Sequence, residues 1–346
     1  MKPEKPAMTI VTLFFLAITF FTVNLSRAAE PIELKLTHWV PADNVMHKDV
    51  FVPWAKMVEE KTAGKVKVTI YPSELLSKAR DTYESVVNGT ADIGFSHLGL
   101  NPGVFTVNQI FGLPFLYPEA PEGSRIITEV YEKEPVLQSE FKDVKLLWFM
   151  SSTMLRLHTA TKPIRTLEDL KGMKIRTGGG PQAATLKTLG ATPVAISPPD
   201  VYTALERGTV DGLTFPWEAV DSYKIDEVTK YHNTAGLWGG PFYVVMNLKK
   251  YNSLPPDVRK ALDSLSGKWA SEFSTDLREK ADIASREKIR KLKGHEFIDF
   301  SREEVVRWKS AAMPIWDEFI SSVEKKGIPG KKILEEVNRS VEKYSK

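Results

Sequence analysis

Leu170–Lys171–Gly172–Met173–Lys174–Ile175–Arg176–Thr177, followed by Gly178, Gly179 and Gly180, decides the fold. It reads as a short buried strand over 173–177 with an arginine at its carboxyl end. A glycine turn then leads into a helix starting near Pro181. In open α/β sheets, ligands sit outside the carboxyl ends of strands. The first amides of the next helix are unpaired and carry partial positive charge. A guanidinium placed there adds a planar fork of donors that matches a carboxylate. The position suits an organic anion.

The same design extends on both sides of this stretch. After the helix over 181–189, closed by Gly190, come a strand over 192–196, a helix over 199–206 ended by Gly208, and a strand over 211–215. Upstream, 33–37 alternates like a strand, and 44–61 has helical spacing through Val50, Phe51, Trp54, Met57 and Val58. Gly64 ends that helix, where a left-handed residue is wanted. A strand over 66–71, a helix over 77–88 and a strand over 92–95 follow. The closures Asn88–Gly89–Thr90–Ala91–Asp92 and Arg207–Gly208–Thr209–Val210–Asp211 echo each other. Two β-α-β-α-β units predict two α/β lobes of related design, each sheet at least partly parallel by the right-handed crossover rule.

Strands over 146–149 and 155–159 link the lobes, and a strand over 242–247 leads into Leu254–Pro255–Pro256–Asp257. A long polar helix is expected from Pro256 to about Lys293, with Val258, Leu262, Leu265, Trp269 and Phe273 in helical period. A shorter helix is expected over 303–325. The first lobe is assigned to 29–152 plus about 241–280, the second to 153–240 plus about 281–330, and a C-terminal amphipathic helix to 331–346. Several crossings, in place of one flexible tether, imply a hinged pair around a cleft, a natural small-molecule site.

Residues 1–28 stand apart. Lys2 and Lys5 precede an apolar run over about 10–23, and Ser26–Arg27–Ala28 reads as a cleavage site. This is the layout of a secretory signal peptide, and the run is shorter than the roughly 20 residues a membrane span needs. Removing it takes away Lys2, Lys5, Arg27 and Glu4, so the formal charge falls from +3 to +1. Such a chain has no electrostatic case for nucleic acid or an acidic membrane. With no cysteine there are no disulfides, thiol nucleophiles or thiolate metal sites. An exported chain of this size without disulfides suggests a bacterial periplasm or cell surface.

Arg176 is the leading ligand contact; a bidentate arginine–carboxylate pair contributes on the order of 1.5–3 kcal/mol. Arg156, which alternation turns to the same face as His158, is either a second anion contact or part of an outward polar row. Phe215–Pro216–Trp217–Glu218 follows a strand end, so Phe215 and Trp217 either wall a pocket or pack between lobes. Trp39 and His97 follow first-lobe strands and face the cleft by the same rule. Enzyme signals are weak. Gly178 to Ala183 formally fits G-x-G-x-x-A, but no acidic residue closes the next strand, as a dinucleotide site requires. There is no G-x-S-x-G, H-E-x-x-H or Walker A loop, and the six histidines have no metal-ligand spacing.

Taken together, 59–68, the 88–92 closure, 163–176 with its Asp169-to-Arg176 core, 204–212, and Met246–Asn247 before Leu254–Pro255 resemble the extracytoplasmic solute receptors of TRAP transporters, the DctP-like family. The resemblance covers essentially the whole mature chain. It implies a periplasmic-binding-protein-like fold with no enzymatic activity and no required cofactor. It further implies lobe closure on an organic acid and delivery to an ion-gradient-driven membrane permease. The family's arginine that grips the carboxylate matches Arg176, and its second arginine matches Arg156. Pocket positions match Trp39, His97 and Phe215, and Trp217 and Asn247 complete the expected substrate-binding set. Phe215 stands where asparagine is common, which points away from sialic acid and C4-dicarboxylates towards a monocarboxylate with an apolar or aromatic body. A dicarboxylate held by Arg156 and His97, a metal-bridged carboxylate at Glu218, a sensor role beside a membrane kinase, and a monomer or homodimer stay open.

Overall fold

The computed structural model describes residues 30–101 and 103–345. The expected signal peptide lies outside these residues. Eleven strands occur among them: β1 (Ile32–Thr37), β2 (Val66–Tyr71), β3 (Ile93–His97), β4 (Val144–Ser151), β5 (Arg156–Thr159), β6 (Lys174–Thr177), β7 (Thr192–Ala195), β8 (Gly212–Phe215), β9 (Tyr231–Asn233), β10 (Pro241–Asn247) and β11 (Glu296–Ile298). They form two sheets, ordered β2-β1-β3-β10-β4 and β11-β9-β5-β8-β6-β7.

In the first sheet β1, β2 and β3 are parallel, and β10 runs antiparallel between β3 and β4. In the second, β6 is parallel to β7 and β8, while β5 is antiparallel to β8 and β9. Each lobe therefore carries the parallel core expected of β-α-β units. The alternation of β1 puts Leu34 and Leu36 inside and Lys35 outside. β9, β11 and the helix Ala120–Lys133 were not anticipated.

Three predicted helices are broken. The segment Met46–Phe51 is π-helical before the α-helix Val52–Lys61. Pro53 has no N–H to continue the regular ladder, so the ladder slips to wider spacing ahead of it. The long helix is interrupted after Pro256–Ser264. Gly267 takes φ +59° and opens a second helix, Gly267–Arg290, a backbone turn no continuous helix accommodates. The Trp54 indole donates to the freed Leu265 carbonyl at 2.8 Å. Pro314 likewise divides the region 303–325 into Arg302–Ala312 and Pro314–Glu324.

The helix Gly267–Arg290 is a spine about 36 Å long. Its buried stripe is small and polar: Ser271, Thr275, Arg278, Asp282, Ser285 and then Ile289, at alternating spacings of four and three. Each polar member has a partner. Thr275 shares a 2.7 Å bond with Ser124, Asp282 accepts from Thr153 at 3.0 Å, and Ser285 donates to Asp221 at 3.1 Å. The spine packs on β4 and helix Ala120–Lys133 of the first lobe and on helix Trp217–Ser222 of the second.

The helix Gly330–Tyr344 returns to the first lobe and buries Ile333 and Val337 in its core. Lys133 binds Glu336 at 2.7 Å, and Lys343 binds Glu129 at 2.5 Å. Helix Pro314–Glu324, assigned from sequence to the second lobe, puts Ile315, Ile320 and Val323 in the first-lobe core. Its amphipathic pattern marks it as core-facing but does not name the core. No helix of the described residues is long and apolar enough to cross a membrane.

Candidate ligand cleft

Four strand ends converge. Trp39 follows β1, His97 ends β3, Arg176 lies one residue before the end of β6, and Phe215 ends β8. Phe242 at the start of β10 pairs in register with His97. Together with Arg278 from the spine they line a cleft. The walls are apolar. Trp39 stacks on Phe95 and Phe242, with ring centroids 5.9 and 6.2 Å apart.

Arg176 is only 3 % exposed, and its guanidinium lies 4.6 Å from the Phe215 ring centroid. Its Nε donates to the Ile196 carbonyl at 2.9 Å. No acceptor among the described residues takes either Nη group. Burial lowers its pKa to about 9; Tyr223 opposes the shift, Arg80 adds a smaller push downwards, and no carboxylate takes part. The group is still a cation at neutral pH, but one without a counter-charge.

His97 is neutral. Burial, then Arg176 and Arg278, hold its pKa at about 3. Its Nδ1 accepts the Gly99 amide at 2.9 Å, so the ring proton sits on Nε2, leaving an N–H donor at the cleft.

The glycine run lets the lobes meet. A Cβ on Gly179, at φ +101°, would lie 2.9 Å from the Gly99 carbonyl oxygen. One on Gly180 would lie 2.7 Å from Gln109 Oε1. Asn44 reaches across to Glu218 and Ser222, both at 2.9 Å, and Arg80 donates to the Ala195 carbonyl at 3.3 Å. These contacts define a closed arrangement.

Three expected site residues lie elsewhere. Arg156 does not line the cleft; it donates to the Thr234 and Met154 carbonyls and pairs with Asp282 at 3.3 Å. Its guanidinium ties the spine to β5. Trp217 is fully buried behind the wall, stacked on Phe297 and edge-on to His158. Asn247 sits at the opposite end of β10 from Phe242. It caps the helix Leu248–Ser253 by accepting the Lys250 amide at 2.8 Å, and it donates to Val86 at 2.7 Å. Glu218 has both oxygens engaged, by Arg278 at 2.5 Å and Asn44 at 2.9 Å. No group of three metal-binding side chains occurs among the described residues.

Arg278 and Phe242 are cleft residues that sequence reasoning missed. Phe242 could have been found, because it opens an apolar strand beside β3. Arg278 belongs to a polar stripe, and a search for apolar periodicity passes over it.

Residues 36–322 match the family described as bacterial extracellular solute-binding protein, family 7 (DctP). The 2,3-diketo-L-gulonate-binding periplasmic protein YiaO of Escherichia coli K12 is 29 % identical over 64 % of this chain and 67 % of its own length. A marine metagenome TRAP solute-binding protein specific for aromatic acid ligands, crystallised with 3-hydroxybenzoate, is 29 % identical. It superposes with a TM-score of 0.87 over 92 % of this chain and all of its own. A TRAP solute-binding protein from Rhodoferax ferrireducens T118, in complex with copurified benzoate, is 28 % identical with a TM-score of 0.87, over 91 % of this chain and 98 % of its own. These relatives are two-lobed solute receptors and not enzymes. The chain belongs to the DctP family of bacterial extracellular solute-binding proteins.

Proposed function

We propose that this protein captures an aromatic or otherwise apolar monocarboxylate in the periplasm, to which its signal peptide exports it, and delivers the acid to the membrane permease of a TRAP transporter. The observation that carries this reading is Arg176, a buried guanidinium with two free Nη groups, no counter-charge and an aromatic ring against its face. Charge arithmetic supports one carboxylate. The charged residues lining the cleft are Arg176, Arg278 and Glu218, a sum of +1, and His97 is neutral. A monocarboxylate cancels that charge, whereas a C4-dicarboxylate leaves a buried negative charge, which is costly. The walls of Trp39, Phe95, Phe215 and Phe242 suit a flat apolar body better than a hydroxylated sugar acid. The aromatic acids bound by the metagenome and Rhodoferax relatives agree with this chemistry. The family's naming as extracellular fits export, and the shared TRAP class of those relatives fits delivery to a permease.

Titration calorimetry on refolded, ligand-free protein tests the reading. Benzoate or phenylacetate should bind at least ten-fold tighter than succinate or malate. A preference for the dicarboxylates would overturn it, as would normal benzoate affinity in Arg176→Ala.

A further inference from the structure

We propose that Arg278 and Glu218 form a second polar subsite that reads a hydroxyl group on the body of the bound acid. The proposal rests on the aromatic-acid reading above and adds a substituent to it. Arg278 and Glu218 are each 4 % exposed at the side chain and joined by one bond, Arg278 Nη2 to Glu218 Oε1 at 2.5 Å. The rest of that guanidinium is unsatisfied, since Nε and Nη1 are buried without an acceptor. Its face lies 4.9 Å from the Phe242 ring centroid. Trp39, stacked on the same ring, also has a buried indole N–H with no acceptor. Unsatisfied buried donors are rare in native proteins and call for an explanation.

All three orphan donors belong to residues that line the cleft, on the wall built around Phe242. All lack acceptors, so the matching ligand atom is an oxygen with lone pairs. Glu218, whose oxygens each accept one bond, has lone pairs left for a hydrogen. A hydroxyl meets both demands: its oxygen accepts from Arg278 and its hydrogen goes to Glu218. A methoxy group meets only the first, and a methyl group neither. Asn44 holds the other Glu218 oxygen at 2.9 Å from the first lobe, so the subsite is complete only when the lobes are closed. The subsite is distinct from Arg176, whose partner is the carboxylate.

The test measures benzoate, the three monohydroxybenzoates, mandelate, phenylacetate and the matching methoxy acids by calorimetry. The wild type and the paired variant Arg278→Met/Glu218→Gln are compared; the second substitution avoids stranding a buried carboxylate, and equal thermal melts certify folding. In the wild type at least one hydroxy acid should bind ten-fold or more tighter than its unsubstituted and methoxy counterparts. In the variant the affinity ratio of that hydroxy acid to its unsubstituted counterpart should fall to about one, whatever the change in benzoate affinity itself. Wild-type binding of benzoate without any hydroxyl gain, or a gain that survives in the variant, overturns the subsite alone. No binding of any acid overturns the aromatic-acid reading and the subsite together.

Discussion

Replacing Arg176 by methionine should uncouple lobe closure from the ligand. In the closed arrangement the guanidinium is 3 % exposed and faces no carboxylate. Burial holds it at about 9, against an ordinary value of about 12.5, and at 1.36 kcal/mol per pH unit this sets an upper bound of about 5 kcal/mol on what the charge costs an empty, closing cleft, since Ile196 and Phe215 of its own lobe already cover part of it. About 5.5 kcal/mol moves a two-state equilibrium from 1:99 to 99:1. At that bound this single side chain would bias the receptor towards the open state until an anion arrives. A bound carboxylate supplies the missing counter-charge. Methionine keeps an apolar stem and removes the charge, so two opposite effects are expected. Affinity for benzoate should fall by roughly 30- to 5,000-fold, the cost of truncating one side of a buried charge pair. The closed population without ligand should rise. The chain has no cysteine, so Lys67→Cys on β2 and Thr192→Cys on β7, the outer edges of the two sheets, give a spin-label pair free of background. Electron-spin distance measurements should show a long separation for ligand-free wild type and a short one for ligand-free Arg176→Met. A variant that opens as widely as wild type and binds benzoate normally would refute the reasoning.

Gly179→Ala should obstruct closure, because its Cβ meets the Gly99 carbonyl oxygen at 2.9 Å and its φ is +101°. Benzoate affinity should drop at least ten-fold, and unchanged calorimetry would contradict the close approach. Stability should fall as the pH drops from 6.5 towards 4. His38, His97 and His232 are held at about 3, and His158 well below its ordinary value, all chiefly by burial, so the unfolded chain takes up four protons that the folded chain refuses, costing about 5 kcal/mol per pH unit. Asp282 and the partly exposed Glu279, raised by burial to about 6 and about 7, act in the opposite direction down to about pH 4 and offset less than half of this. Urea melts that show rising stability towards pH 4.5 would disprove the neutral histidines. Deleting residues 330–346 removes Ile333 and Val337 from the first-lobe core and should cost about 3–6 kcal/mol; an unchanged urea midpoint would contradict that packing.

The strands and the cleft's location were legible because they depend on local rules. Period-two burial and glycine stops mark the β-α-β units, and the carboxyl-end rule points Trp39, His97, Arg176 and Phe215 at one place. What was not legible depends on partners far along the chain. Alternation puts Arg156 beside His158 but cannot say that Asp282, 126 residues later, occupies its guanidinium. Asn247 carries a motif whose job is capping a helix. The spine hides its buried face because that face is serine, threonine, arginine and aspartate, each acceptable there only through a specific bond. The expected apolar face ran through Trp269, which is 40 % exposed, to Phe273, which is only partly buried.

The place of β10 between β3 and β4 has a consequence for when the molecule can fold. Ile93 pairs with Met246, so the centre of the first sheet closes a loop of about 150 residues that contains nearly the whole second sheet. Pairings so distant in sequence fold slowly. The amino-terminal lobe cannot be finished while the chain is still being made up to β10, and the helix Gly330–Tyr344 joins its core later still. A nascent chain stopped at residue 240 should therefore stay protease-sensitive from its amino-terminal end. If the chain is exported as proposed above, strand order alone would delay completion of the first lobe.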